Sequence, residues 1–157
     1  MNTKANKYCL DANVLIQAWQ KYYNPKFCPD YWKVLIELGK NGKIFIPELV
    51  YEEIVRTEDD LSKWLKTSKP ITKHIRKILK DYPLLVDNTK SRSLADPWVI
   101  VHALSENATV VTKEEKVTAL NSKKIKIPNV CDNIGIRWIN DFQFIEELEI
   151  KFQCSLI

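Results

Sequence analysis

Four carboxylates stand at or just beyond the ends of short apolar runs: Asp11 in CLDANVL, Glu53 in IPELVYEEI, Asp96 in LADPWVIVHAL and Glu114 in VVTKEE. Each has an ordinary explanation. Asp11 can cap a helix starting at Ala12, and Asp96 followed by Pro97 reads as a cap with a first-turn proline. Glu53 can be a partly exposed helix residue, and Glu114 a solvated loop charge whose place Glu115 could take. On a helix, though, Glu53 shares a face with Leu49 and Val50, whereas Glu52 lies over Glu48. Glu53 therefore projects from the apolar side, where a carboxylate is costly unless paired or metal-bound. Asn13, two residues past Asp11, can point at the same crevice. If the four acids meet, each like-charged pair at ~4 Å repels by about 4 kcal/mol at an effective dielectric of ~20. Such a cluster must hold a proton or recruit a cation. Oxygen donors select hard divalent ions.

Whether they meet depends on the elements that carry them. Tyr8-Cys9-Leu10 reads as a buried strand ending at Asp11, followed by helical patterns over 12–22 and 30–40. Ile44-Phe45-Ile46 is a second strand, and Pro47 suits the start of a helix. Helices are expected over 48–56, 59–67 and 71–81, with a short strand at Leu84-Leu85-Val86. A strong helix runs over 97–107. Ala108 to Thr112 is a strand rich in β-branched residues. Ile136 to Ile139 is a last strand and 141–151 a last helix. The alternation predicts an α/β fold of three layers, with a central, mainly parallel sheet of about five strands and helices on both faces. All four acids follow a strand or open the element after one. In a parallel sheet, the working crevice lies beyond the carboxyl ends of the strands.

Composition narrows the alternatives. The 157 residues, 45% hydrophobic and 28% charged, fit a single soluble domain spanning 1–157. No apolar run reaches membrane-spanning length, so no membrane partner is expected. MNTKANK has no secretory h-region, and a cytoplasmic location is expected. With only Gly39, Gly42 and Gly135, neither G-x-G-x-x-G nor a Walker A loop can be written, which removes most nucleotide-binding readings. The four cysteines form no C-x-x-C pair, and with two histidines they do not make a zinc pattern; buried or half-buried thiols are expected. The formal charge of +4 is modest, but its distribution is uneven. Lys63, Lys66, Lys69, Lys73, Arg76, Lys77 and Lys80 form one basic run, and Lys123, Lys124 and Lys126 another near Lys116. Lys90 and Arg92 precede Asp96. Such residues suit phosphate contacts, without sequence specificity. The five tryptophans read as core or interface residues, His102 as a buried or partner-facing histidine, and His74 as solvated.

The order and spacing of these segments resemble the PIN-domain family, including the VapC-type toxins. CLDANVLI resembles the family's Asp-terminated first strand, and Val50 to Ile54 its V-x-x-E-I helix. ADPWVIVHAL resembles its Asp-led helix, and Thr112-Lys113-Glu114 its T-x-D motif, with Glu in place of the commoner Asp. LADPWVI and KIPNVCDNIGI also resemble a less characterised bacterial PIN-like branch. The match runs from about Tyr8 to Ile139. The resemblance implies Mg2+- or Mn2+-dependent hydrolysis of RNA, with Asp11, Glu53, Asp96 and Glu114 as catalytic and metal-binding residues. Asn13 and Thr112 would support them, and Lys123, Lys124, Lys126 and Arg92 would contact RNA. It further implies an antitoxin partner and a homodimer as expected associations. Two other readings stand beside it. One is a PIN-fold module that binds RNA or protein with weak or no cleavage. The other is a phosphoryl-transfer or receiver-type domain using Asp11. The latter fits poorly, because the dehalogenase pattern needs an Asp where Asn13 stands.

Overall fold

The computed structural model describes residues 7–68, 72–73, 96–118 and 126–156, with the backbone alone at 72–73 and 96–97. Its strands are β1 (Tyr8–Leu10), β2 (Ile44–Pro47), β3 (Thr72–Lys73), β4 (Thr109–Val111) and β5 (Trp138–Ile139). The helices are α1 (Ala12–Gln17), continued by a π-helical turn (Ala18–Tyr22), then α2 (Pro29–Lys40), α3 (Glu48–Val55), α4 (Asp60–Thr67), α5 (Asp96–Glu106), α6 (Ile127–Ile134) and α7 (Asp141–Glu147).

The five strands form one sheet in the order β3-β2-β1-β4-β5, and every neighbouring pair is parallel. β1, β2 and β4 are buried at every residue. That is why they read as unbroken apolar runs rather than as alternating ones. β1 is central. From it the chain moves outward to β2 and β3, then returns across the sheet to β4 and β5. Right-handed crossovers running in opposite directions put their helices on opposite faces, which produces the three-layer α/β/α arrangement. Cys9, Leu10, Phe45, Ile46 and Val110 from the sheet, with Leu15, Leu35, Val50, Val99 and Phe144 from the helices, form one continuous core. No helix among the described residues is long and apolar enough to cross a membrane.

Two elements differ from expectation. The helix expected over 71–81 is not helical at Thr72–Lys73, which pair with Ile46–Pro47 as β3. β-branched Thr72 suits an edge strand. The remainder of that segment and the expected strand at Leu84 to Val86 lie outside the described residues. The last helix ends at Glu147 rather than 151, with Glu149 in a left-handed conformation at φ 55°. One helix went unread. α6 carries Pro128 in its first turn and ends on Gly135 at φ 75°, where the absence of a Cβ lets the Ile136 N–H return to the Cys131 carbonyl.

Candidate active site

The register fixes what stands at the carboxyl edge of the sheet. Leu10 pairs with Val111 and Val111 with Ile139. The next residues in line are therefore Asp11, Thr112 and Asn140. This edge includes the gap between β1 and β4, where the strand order reverses and parallel sheets open a crevice.

Asp11 is 3% exposed. One of its oxygens accepts the Ala12 N–H at 2.7 Å, capping α1, and the other accepts the Thr112 hydroxyl at 2.9 Å. The Thr112 oxygen in turn accepts the Glu114 N–H at 3.1 Å and faces the Asn13 amide at 3.5 Å. The Asn13 carbonyl oxygen accepts the Lys113 N–H at 2.9 Å. Asp11, Asn13, Thr112 and the Glu114 backbone thus form one network that ties the end of β1 to the end of β4.

Two further elements that carry acids start at this edge. α3 begins directly after β2, at the sheet's carboxyl side, and holds Glu53 half-buried while Glu52 is exposed, as its apolar face requires. α5 leads into β4 through a two-residue connection and runs back along the sheet, so its first residue, Asp96, lies at that same edge. The Cys9 thiol, two residues before Asp11, reaches the Val99 carbonyl in the first turn of α5 at 3.6 Å. Leu49 of α3 packs against Trp98 and Val101 of α5. Among the described residues, no group of three or more His, Cys, Asp or Glu side chains is placed to hold a metal ion. The Asp96 side chain is outside that description.

Glu114 is half-buried and Glu115 exposed. One Glu114 oxygen accepts the Ile127 N–H at 2.8 Å, at the first residue of α6. This acid therefore caps a helix thirteen residues further on. Glu114→Ala should cost about 1 kcal/mol, as for other lost caps. Glu114→Gln keeps an acceptor there and should cost a few tenths. Urea unfolding midpoints of the two variants check this. Lys126 is the half-buried N-cap residue of α6, next in sequence to the N–H that Glu114 holds. Lys123, Lys124 and Arg92 lie outside the described residues.

Sequence reasoning overlooked a second cluster on this edge. The Lys113 ammonium meets the Asp141 carboxylate at 2.9 Å, with side chains only 11% and 3% exposed. It also lies 4.3 Å from the Tyr22 ring centre and 4.6 Å from that of Phe142. Nearby, burial raises the Tyr23 phenol above its usual pKa, with the Asp141 charge adding to the shift. Burial likewise raises Tyr31, followed by the effects of Tyr23 and Asp141. Both are neutral phenols at ordinary pH and cannot serve as bases. The tryptophans behave as core residues: Trp19, Trp32 and Trp64 pack edge-on and tilted against one another, and Trp98 is buried. His102 is buried against Phe45. The four cysteines are free thiols; Cys9 and Cys131 are buried, Cys28 is half-buried and Cys154 exposed.

These features define a doubly wound parallel α/β domain with a buried aspartate, Asp11, in a hydrogen-bond network at its topological switch point. The chain belongs to the DUF4411 family, described as a domain of unknown function, whose sequence profile matches residues 8–152. No match to a curated protein was found. Among solved structures, the chain is similar to one chain of VapBC2 from Rickettsia felis bound to a DNA fragment from their promoter. That similarity has 20% identity over 85% of this chain and 97% of the other, with a TM-score of 0.44.

Proposed function

We propose that this chain is a metal-dependent endoribonuclease that hydrolyses RNA phosphodiester bonds, and that it is the toxin of a toxin–antitoxin pair. The reading is carried by the hydrogen bond between Asp11 and Thr112 at the switch point, and it is supported by α3 and α5, the helices of Glu53 and Asp96, which start at the same edge. The resemblance of the four motifs to PIN-domain nucleases supports it, and supplies the antitoxin and RNA as partners.

The donor set fits Mg2+ or Mn2+. All four side chains offer carboxylate oxygens, the donors that hard divalent ions select. A carboxylate has about four lone-pair sites, so Asp11 can keep both its hydrogen bonds and still serve as a ligand. When bound, the metal supplies charge neutralisation at the phosphorus centre and at the attacking and leaving oxygens. The protein's part is to hold and orient. Asp11, Glu53 and Asp96 would hold the ion, and Glu53 would also orient the attacking water. Glu114 would support the outer shell. Thr112 and Asn13 fix the Asp11 carboxylate and the loop after β4. Attack by water rather than by the 2′-hydroxyl leaves a 5′-phosphate and a 3′-hydroxyl.

Purified chain incubated with unstructured RNA and Mn2+ should yield 5′-phosphorylated fragments, and excess EDTA should stop the reaction. Products bearing 2′,3′-cyclic phosphate, or cleavage indifferent to EDTA, would sink the proposal. One observation favours a second reading, a PIN-fold module that binds RNA or protein with little cleavage: Glu114, already a departure from Asp, spends an oxygen on the α6 N-terminus. That reading predicts RNA binding without metal-dependent product.

A further inference from the structure

Beyond the crevice, a connected set of aromatic rings is left open to solvent. Phe142 meets Tyr22 edge-on at 5.8 Å between ring centres. Tyr22 adjoins Tyr23 at 6.5 Å, and the Phe152 ring stacks on Tyr23 at 5.4 Å with an interplanar angle of 2°. Tyr23 is half-buried against Tyr31 and anchors the row. The three outer rings are not core residues: Phe142 is 52% exposed, Tyr22 44% and Phe152 46%. The row starts at the crevice. The Lys113 ammonium lies against both Tyr22 and Phe142 and is held there by Asp141, while the Lys113 backbone belongs to the segment that binds Asn13. A nearly buried cation thus lies against two rings that are each about half exposed.

We propose that Phe142, Tyr22 and Phe152 form a stacking strip for unpaired bases of a single-stranded RNA, leading it into the carboxylate crevice. The inference deepens the ribonuclease reading and rests on it for the identity of the ligand. π faces, rather than charge, are what the strip offers. Exposed Lys21 and Lys151 adjoin Tyr22 and Phe152 in sequence, but Glu146 and Glu149 are exposed close by in the chain, and Asp141 neutralises Lys113. The exposed aliphatic side chains Leu104 and Ile134 lie on α5 and α6, and Leu156 lies near the C-terminus. Aromatic side chains accept any base by stacking, so the strip would give affinity with little sequence preference. Edge-on and stacked geometry among the rings keeps them ordered before a base arrives, which limits the entropy lost on binding.

The test is direct binding in EDTA, where cleavage is stopped. Fluorescence anisotropy would compare a short unstructured oligoribonucleotide with an abasic ribose-phosphate strand of equal length. The base-bearing strand should bind at least about tenfold tighter. Phe142→Leu, Tyr22→Leu and Phe152→Leu should each weaken it about five- to tenfold and leave the abasic strand unchanged. Tyr22→Phe and Phe142→Tyr should restore it. Phe152 lies on the tail beyond α7, so its variant reports on stacking even if another variant unfolds. Equal affinity for the two strands, or leucine variants that bind like the parent, would overturn the strip. So would leucine variants that leave RNA binding intact but convert a dimer to a monomer in light scattering, which would assign the rings to a second copy. Mn2+-dependent cleavage with base-independent binding counts against the strip alone. Base-dependent binding with no cleavage counts against the nuclease reading alone.

Discussion

Asp11→Asn is expected to cut metal-dependent RNA cleavage by at least about a hundredfold while leaving the fold in place; losing one preorganised electrostatic contact at a reacting centre costs on the order of 10²- to 10³-fold. The substitution separates two roles that coincide in one side chain. As a cap, Asp11 accepts the Ala12 N–H, and Asn caps about as well as Asp. As a partner of Thr112, it accepts a hydroxyl that can rotate to accept from an amide instead. Neither structural contact needs the charge. A metal site does. Asp11→Ala removes the cap and leaves a buried hydroxyl without its acceptor, so it should also cost about 1–2 kcal/mol of stability. Cleavage rates and melting temperatures of the two variants together distinguish the roles. A second readout does not depend on turnover: millimolar Mn2+ should raise the parent's melting temperature, by linkage of binding to folding, and should not raise that of Asp11→Asn. Parent-like cleavage by Asp11→Asn would reduce Asp11 to a helix cap.

The parts of this architecture that the sequence disclosed are those fixed by local pattern. β1, β2 and β4 are buried on both faces, so their apolar runs announce them. α2 carries a proline and an acid in its first turn, and α3 opens with Glu48 directly after Pro47. Asp11, Asn13 and Thr112 were legible because they flank those runs. What stayed hidden depends on partners far along the chain. β3 exists because Thr72–Lys73 find Ile46–Pro47, and no local periodicity records that pairing. The N-terminus of α6 is capped by Glu114 rather than by a neighbouring Ser or Asp, so the usual start signal is absent. Nothing in the local sequence marks Lys113, which meets Asp141 only once β4 pairs with β5. Tyr22, Phe142 and Phe152 gather only after β5 and α7 have been laid against the rest of the sheet.

That buried pair gives the largest expected effect on stability. Lys113 and Asp141 are nearly excluded from water, so removing one partner leaves an uncompensated buried charge. Such losses run at about 3–5 kcal/mol. Asp141→Leu should sit at the upper end, because among the described residues Lys113 then keeps only the faces of Tyr22 and Phe142, and cation–π contacts of this kind offset about 1–2 kcal/mol. Lys113→Met should sit lower, because Asp141 is the first residue of α7 and the unpaired N–H groups of that turn still favour its charge. For a chain of this size, a loss near 4 kcal/mol lowers the melting temperature by roughly 8–16 °C. The double variant Lys113→Met/Asp141→Leu removes both charges at once, and exchanging a buried pair for apolar side chains is often neutral or stabilising. It should therefore melt well above Asp141→Leu. The coupling from the complete cycle, measured by urea unfolding, should therefore exceed the loss from Lys113→Met alone, at about 3 kcal/mol or more. Additive losses would mean that water reaches the pair and screens it, and that the Thr112–Glu114 segment is held at the crevice by Asn13 and Asp11 without help from α7.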